Sequence, residues 1–424
     1  MRWMAVVFGA ALWMGVATGS GAGEYPLVPA KLVKARDGMG NVLAKLEAGE
    51  DVTIAYFGGS ITAANGWRPM TFKWFQQTWP KSKLTQVHAA IGGTGSDLGV
   101  FRFEQDVLAH DPDLLFVEFA VNDGGAKPER IYRQFDGIIR KAWKHNPKMD
   151  ICFVYTLALG FVKNLQQGFC PRAASADERV ADYFGIPSIN VALRIVEMEK
   201  EGKLVFHGER GAKPPEGKFI FTHDSCHPTK AGHEVFRDVI AKAITAMKPT
   251  SKPGAHVLKK PFVADTWVNA NMVPVDPTML SGGWTKLPTD KGLGRRFHNR
   301  MPVIWEASKP GQKITFRFKG TLVKLYDLLG PDGCKAICSV DGKVVRTAKR
   351  FDHYCTYHRL ATLSIAEKLP DAVHTVTVEV SPEQPDRESV LKRVRNKPKF
   401  DPKRYDGTGL RVGGIMLLGE LVKD

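Results

Sequence analysis

Apolar residues in the first 250 positions gather into short solid runs, separated by longer stretches of mixed polarity. The runs 52–57, 84–89, 114–120, 151–156 and 186–191 are mostly β-branched or aromatic, which predicts strands buried on both faces. Between and around them, segments 39–46, 69–78, 99–109, 129–145, 173–184 and 230–247 have helix length, the last opening just after Pro228. Strands alternating with helices predict a parallel sheet covered on both faces.

Beyond the Pro/Ser/Gly-containing stretch 248–254 the pattern changes. Runs 313–318, 322–325, 336–340, 343–348, 374–380 and 413–418 are short and strand-like, broken by turns such as Asp341-Gly342 and Pro331-Asp332-Gly333. No convincing amphipathic helix interrupts them, so an all-β sandwich or jelly roll is predicted. The polar, basic segment 381–409 is too long for a hairpin loop. It reads either as an ordered loop packed on the first domain or as a mobile one.

The chain has 424 residues, a length that favours two domains, and its 43% hydrophobic and 25% charged residues exclude disorder. Residues 1–22 have the form of a signal peptide: Arg2, an apolar run over 3–16, then small residues at Ser20-Gly21-Ala22. The expected division is therefore a signal peptide at 1–22, an α/β domain at 23–254 and a β domain at 255–424. The expected location is periplasmic or secreted, without stable membrane insertion. Six cysteines fall three to each domain and lack zinc-site spacing, so at least one thiol per domain stays free unless a bridge crosses between them. Of the net charge of +16, about +11 lies beyond position 254. A basic face can recruit acidic polymers. For an exported chain without nucleic-acid motifs that favours anionic glycans, beside the plainer reading of solvated lysines.

Candidate chemistry sits where strands end. Val52 to Phe57 runs into Gly58-Gly59-Ser60-Ile61-Thr62, placing a serine at the strand's C-terminal end, where open α/β sheets carry ligands. Serine needs a base, and His227 can supply it, with Asp224 three residues earlier to orient the imidazole. An oxyanion would need preset donors. Candidates are the Ser60 N–H, a backbone N–H within Ile91-Gly92-Gly93-Thr94-Gly95, and the Asn122 side-chain amide. Asp123 reads as a turn or helix-entry residue. His233 reads as helix surface or core.

These blocks resemble the SGNH hydrolases, the GDSL-type esterase superfamily: Ser60 in the first, Gly93 in the second, Asn122 in the third, and Asp224 with His227 in the last. The resemblance covers about residues 40–248. It implies a three-layer α/β/α, flavodoxin-like domain, no metal or other cofactor, and ester hydrolysis through an acyl-enzyme. Ser60, Asp224 and His227 would be catalytic, with Ser60, Gly93 and Asn122 forming the oxyanion hole. Gly59 departs from the Gly-Asp-Ser-Leu form, and Gly-Gly-Ser variants resemble exported carbohydrate esterases better. The function expected is removal of O-acetyl groups from a neutral or acidic polysaccharide or glycan. The alternatives are a lysophospholipase-like lipid esterase and a non-catalytic glycan-binding protein. Trp67, Arg68 and Arg102 are candidate substrate contacts, by stacking or ion pairing, beside the plainer reading of structural packing and solvated charge. Trp267, Trp284 and Trp305 are either a sugar platform or core.

Overall fold

The computed structural model describes residues 25–392 and 402–422, so the expected signal peptide lies outside the described residues. Six strands form the first sheet: β1 (Val33–Lys34), β2 (Val52–Gly58), β3 (Leu84–His88), β4 (Leu114–Glu118), β5 (Asp150–Val154) and β6 (Ser188–Ile189). Their order is β1-β6-β5-β4-β2-β3, parallel throughout except for β1. β4 and β5 are buried at every position, as solid apolar runs require when helices cover both faces.

The helices are α1 (Gly40–Ala48), α2 (Ser60–Ala63), α3 (Trp67–Thr78), α4 (Ser96–Asp106), α5 (Pro128–His145), α6 (Val162–Gln166), α7 (Arg172–Phe184), α8 (Val191–Lys200) and α9 (Lys230–Met247). They divide the sheet's apolar residues into two cores. Ala55, Phe57, Leu115 and Val117 face α4, α5 and α7, whereas Ile54, Tyr56, Leu114 and Phe116 face α1, α3, α8 and α9. This is the expected three-layer arrangement. The sequence reading missed α8 and a parallel pair, β7 (Leu204–His207) and β8 (Phe219–Thr222), that precedes the Asp224–His227 loop.

The stretch after Met247 is tied down along the first domain. His256 stacks on Trp143 with ring centroids 4.7 Å apart, and its Nε2 bonds the buried Asp150 carboxylate. Arg140 donates to Lys259 O, and Phe262 N donates to Asp136.

The second domain is antiparallel. Its strands are β9 (Ala270–Val273), β10 (Leu280–Ser281), β11 (Thr285–Lys286), β12 (Trp305–Ala307), β13 (Lys313–Leu329), β14 (Lys335–Val340), β15 (Lys343–Lys349), β16 (Arg359–Val380) and β17 (Leu410–Leu421). They form one nine-stranded sheet, with β13 hydrogen-bonded between β16 and β17 along most of its length. The runs 313–318 and 322–325, expected as separate strands, are one strand, and the first half of β16 was not foreseen. A register shift between Gly320 and Leu322 explains why. Ile314, Phe316 and Phe318 face the β core, but after the shift Val323 and Leu325 do so, breaking the period of two.

The same shift turns Leu322, Tyr326 and Leu328 onto the first domain, where they join the α4/α5 core with Trp267, Met301 and Met416. β13 is therefore half-solvated before the shift and almost wholly buried after it. Around this contact Glu367 accepts from Arg130 of α5 at 3.2 Å and from the buried Lys324 at 3.3 Å. Segment 381–409 is corrected as well: Leu391 and Tyr405 pack with Leu329, Phe351 and Cys355 of its own domain. Residues 393–401 lie outside the described residues. All six cysteines are free thiols. Truncation of a side chain shared by the two domains should destabilise the whole chain: Leu328→Ala should cost about 2–5 kcal/mol in urea unfolding, and a loss under ~1 kcal/mol would contradict a continuous interdomain core.

Candidate active site

β2 delivers the serine through a turn with no room for side chains. A Cβ on Gly58 would lie 2.5 Å from Glu118 O, and one on Gly59 would lie 1.8 Å from Asn122 Oδ1. Gly59, where the Gly-Asp-Ser-Leu form has aspartate, is thus filled by Asn122 of the neighbouring β4–α5 connection. Thr62 Oγ1, two residues past Ser60, donates to the Glu118 carboxyl at 2.8 Å, and Thr156 Oγ1 donates to its other oxygen at 2.8 Å. Burial pushes the Glu118 carboxyl up to about 7 despite these donors.

The imidazole arrives on the loop between β8 and α9. Thr229 anchors one end as the N-cap of α9 while donating through Oγ1 to Ile220 O at 2.7 Å. Inside the loop, Asp224 Oδ1 accepts from the backbone N–H of Cys226 and His227, and Oδ2 bonds His227 Nδ1 at 2.8 Å. The opposite face of the ring places Nε2 2.8 Å from Ser60 Oγ. Partial burial pushes the Asp224 carboxyl up, but the backbone and imidazole donors of His227 and the Cys226 N–H outweigh it, holding the group at about 2. It stays ionised beside the imidazole. Ser225 sits at φ +70°, a strained conformation for a non-glycine residue, and its carbonyl accepts from Leu159 N at 2.9 Å.

The neighbouring histidines are directed elsewhere. His223 Nδ1 donates to Gly208 O at 2.7 Å. His233 is buried in α9 and accepts from Trp67 N at 3.2 Å. Burial, followed by the nearby His227, lowers it to about 4, so it is a neutral acceptor. Ser60, His227 and Asp224 are therefore brought together as the sequence suggested, and their mutual bonds suit a base-activated hydroxyl.

The three candidate oxyanion donors border the same serine. Gly92 passes close enough that a Cβ there would lie 3.6 Å from Ser60 Cβ, whereas a Cβ on Gly93, at φ +74°, would meet nothing within 4 Å. Asn122 is exposed in the β4–α5 connection. Asp123, read from sequence as a turn or helix-entry residue, is buried and joins two of these segments: it accepts from Ser96 N at 3.0 Å and from Ser96 Oγ at 2.6 Å. Burial, opposed by those bonds, raises it to about 7. The sequence offered a signal only in Asp123 adjoining Asn122; nothing near Ser96 marked its partner.

Three candidate substrate contacts are corrected. Trp67 is fully buried against Tyr56 and Phe116. Arg68 donates to Thr62 O at 3.1 Å and to the Gln86 side chain, tying α3 to the serine helix. Arg102 is fully buried, 4.5 Å over the Phe57 ring, and bonds Ala89 O and Asp106. All three shape the site from behind. Trp267 is core, and Trp284 and Trp305 are half-buried against the β core. Among the described residues no three His, Cys, Asp or Glu side chains are grouped to hold a metal ion, and no helix is long and apolar enough to cross a membrane.

Residues 56–235, which carry all four blocks, match the model of the GDSL-like Lipase/Acylhydrolase family. The first domain belongs to this family. Comparison with curated proteins finds no match. Among solved structures, this GDSL-like chain is similar in fold to a two-domain esterase, CEX, active on acetylated mannans. The crystal with mannopentaose superposes at TM-score 0.69 and 22% identity, over 90% of this chain and 94% of that one. A second crystal structure of that esterase gives 0.68 at the same identity and coverage. Both domains of the GDSL-like chain are therefore matched as one fold.

Glu118 makes the site's support titratable. Its folded pKa, about 7, lies above the ordinary carboxyl value, so its contribution is complete at low pH and is lost as pH rises toward 7. Between pH 4 and 7, denaturant titrations should show Glu118→Gln gaining on wild type by roughly 3 kcal/mol, at ~1.4 kcal/mol per unit. A gap that does not change with pH would show that folding leaves the Glu118 pKa unshifted.

Proposed function

We propose that the chain is an exported carbohydrate esterase that removes O-acetyl groups from a polysaccharide. The observation carrying this reading is the unbroken line from Asp224 through His227 to Ser60, with 2.8 Å contacts at both junctions. Ser60 Oγ attacks the acetyl carbonyl while His227 Nε2 takes its proton. The oxyanion is held by the N–H groups of Ser60 and Gly93 and the amide of Asn122. Collapse expels the sugar alkoxide, which His227 protonates, leaving acetyl on Ser60. Water, deprotonated by His227, then attacks the acetyl carbonyl, and the Ser60 Oγ–acetyl bond breaks to release acetate as His227 returns the proton to Ser60 Oγ. Asp224 holds the imidazole in the required tautomer and balances its charge in both halves.

The site's openness supports a polymeric substrate. The side chains of His227 and Asp224 are 46% and 42% exposed, so an ester within a long chain can reach Ser60 without entering a tunnel. The two-domain fold shared with an esterase active on acetylated mannans supports a glycan. The charge of +16 supports acidic members of that class. The apolar run at 3–16 supports export.

Acetate release should be measured over acetylated neutral and acidic glycans. Ser60→Ala should lower kcat by about 10³-fold or more, and Asn122→Ala by about 10²–10³-fold. Rates on model esters should fall steeply beyond acetyl or propionyl. Preference for long acyl chains would favour a lipid esterase, and glycan binding without any turnover would leave a binding protein.

A further inference from the structure

β3 is the edge strand of the first sheet, so on one side its backbone carbonyls have no strand partner. Its continuation, Ala89-Ala90-Ile91, leads directly into Gly92 and Gly93. On the inner side this extension is paired, Ala89 N to Tyr56 O and Ile91 N to Gly58 O, each at 3.0 Å. On the outer side Arg300 of the second domain takes over: its Nη2 donates to His88 O and to Ala90 O, both at 3.0 Å. The intervening carbonyl, Ala89 O, accepts from the buried Arg102. Three consecutive carbonyls before the glycine loop are thus each held by a guanidinium.

Arg300 is itself fixed. It follows the short helix α10 (Gly292–Phe297), whose Phe297 O accepts from the N–H groups of both Arg300 and Met301. The Met301 side chain is buried in the core that joins the two domains. The guanidinium therefore extends from a rigid root, and the second domain substitutes for the strand that the sheet edge lacks.

We propose that Arg300 is a positioning residue: it holds the Ala89–Gly93 segment so that the loop amide stays aimed at the Ser60 oxyanion site. The second domain then acts in catalysis through the loop that Arg300 holds. The catalytic half of this inference rests on the hydrolase reading; the brace itself does not. A displaced donor costs rate, because oxyanion stabilisation depends on preset geometry.

The experiment pairs kinetics with hydrogen exchange on the full chain. Arg300→Ala should raise exchange at the Ile91 amide at least about tenfold and lower kcat about 10–100-fold with KM little changed. Arg300→Lys, which retains N–H donors, should recover part of both. Arg296→Ala, an exposed neighbour on α10, should change neither. A thermal melt near that of wild type keeps the kinetic effect separate from unfolding. Unchanged Ile91 exchange in Arg300→Ala overturns the brace, whatever the activity. Faster exchange with unchanged kcat in an active enzyme overturns the positioning role. If wild type hydrolyses no ester, the hydrolase reading and the positioning role fall together, while exchange still decides the brace.

Discussion

The absence of two side chains, at Gly58 and Gly59, is the constraint on which the site depends. β2 and β4 are hydrogen-bonded neighbours whose C-terminal ends approach closely, and any Cβ on those glycines would strike Glu118 O or Asn122. Because the turn is empty, Ser60 and Asn122 come to the same place from different strands. Because it is tight, the first turn of α2 lies over Glu118, whose buried carboxyl ties Thr62 to Thr156 beyond β5. The same clearance brings the candidate nucleophile and a candidate oxyanion donor together.

Around that turn, the backbone segments that carry the candidate side chains are fixed by bonds outside the Ser60–His227–Asp224 line. The Asp224–His227 loop closes on itself through backbone N–H groups, and the strained Ser225 is stabilised by Leu159. Asp123 links the third block to the start of α4, which follows the second. Asp224 is surrounded by donors and stays ionised, whereas Asp123 and Glu118 lie in buried surroundings that favour their protonated forms. The candidate site thus holds carboxyl groups whose protonation is pulled in opposite directions by local burial and hydrogen bonding.

The second domain completes the structure of the first. A register shift in β13 presents Leu322, Tyr326 and Leu328 to α4 and α5, so the helical layer has a β sheet against its outer side. Arg300 extends that contact to the sheet's open edge. The fold match extends over both domains together, consistent with a joint unit and not with a hydrolase carrying a loose appendage.

By itself the sequence determined the α/β order, the candidate nucleophile Ser60 and the Asp224/His227 pair, because solid strands, helix-length spacers and a three-residue Asp-to-His interval are local properties. It also marked Gly93 and Asn122 through their positions after strands. It did not separate exposed from buried uses of one residue type: Trp67, Arg68 and Arg102 read as ligand contacts and are instead packed behind the site. Nor could it join 313–318 to 322–325, since one register shift disguises a continuous strand. Asp123–Ser96, Thr62–Glu118 and Arg300 with the 88–90 carbonyls link positions far apart in sequence, with no repeated spacing to betray them. Only the tertiary structure decided these, because burial and long-range hydrogen bonding depend on which surfaces meet.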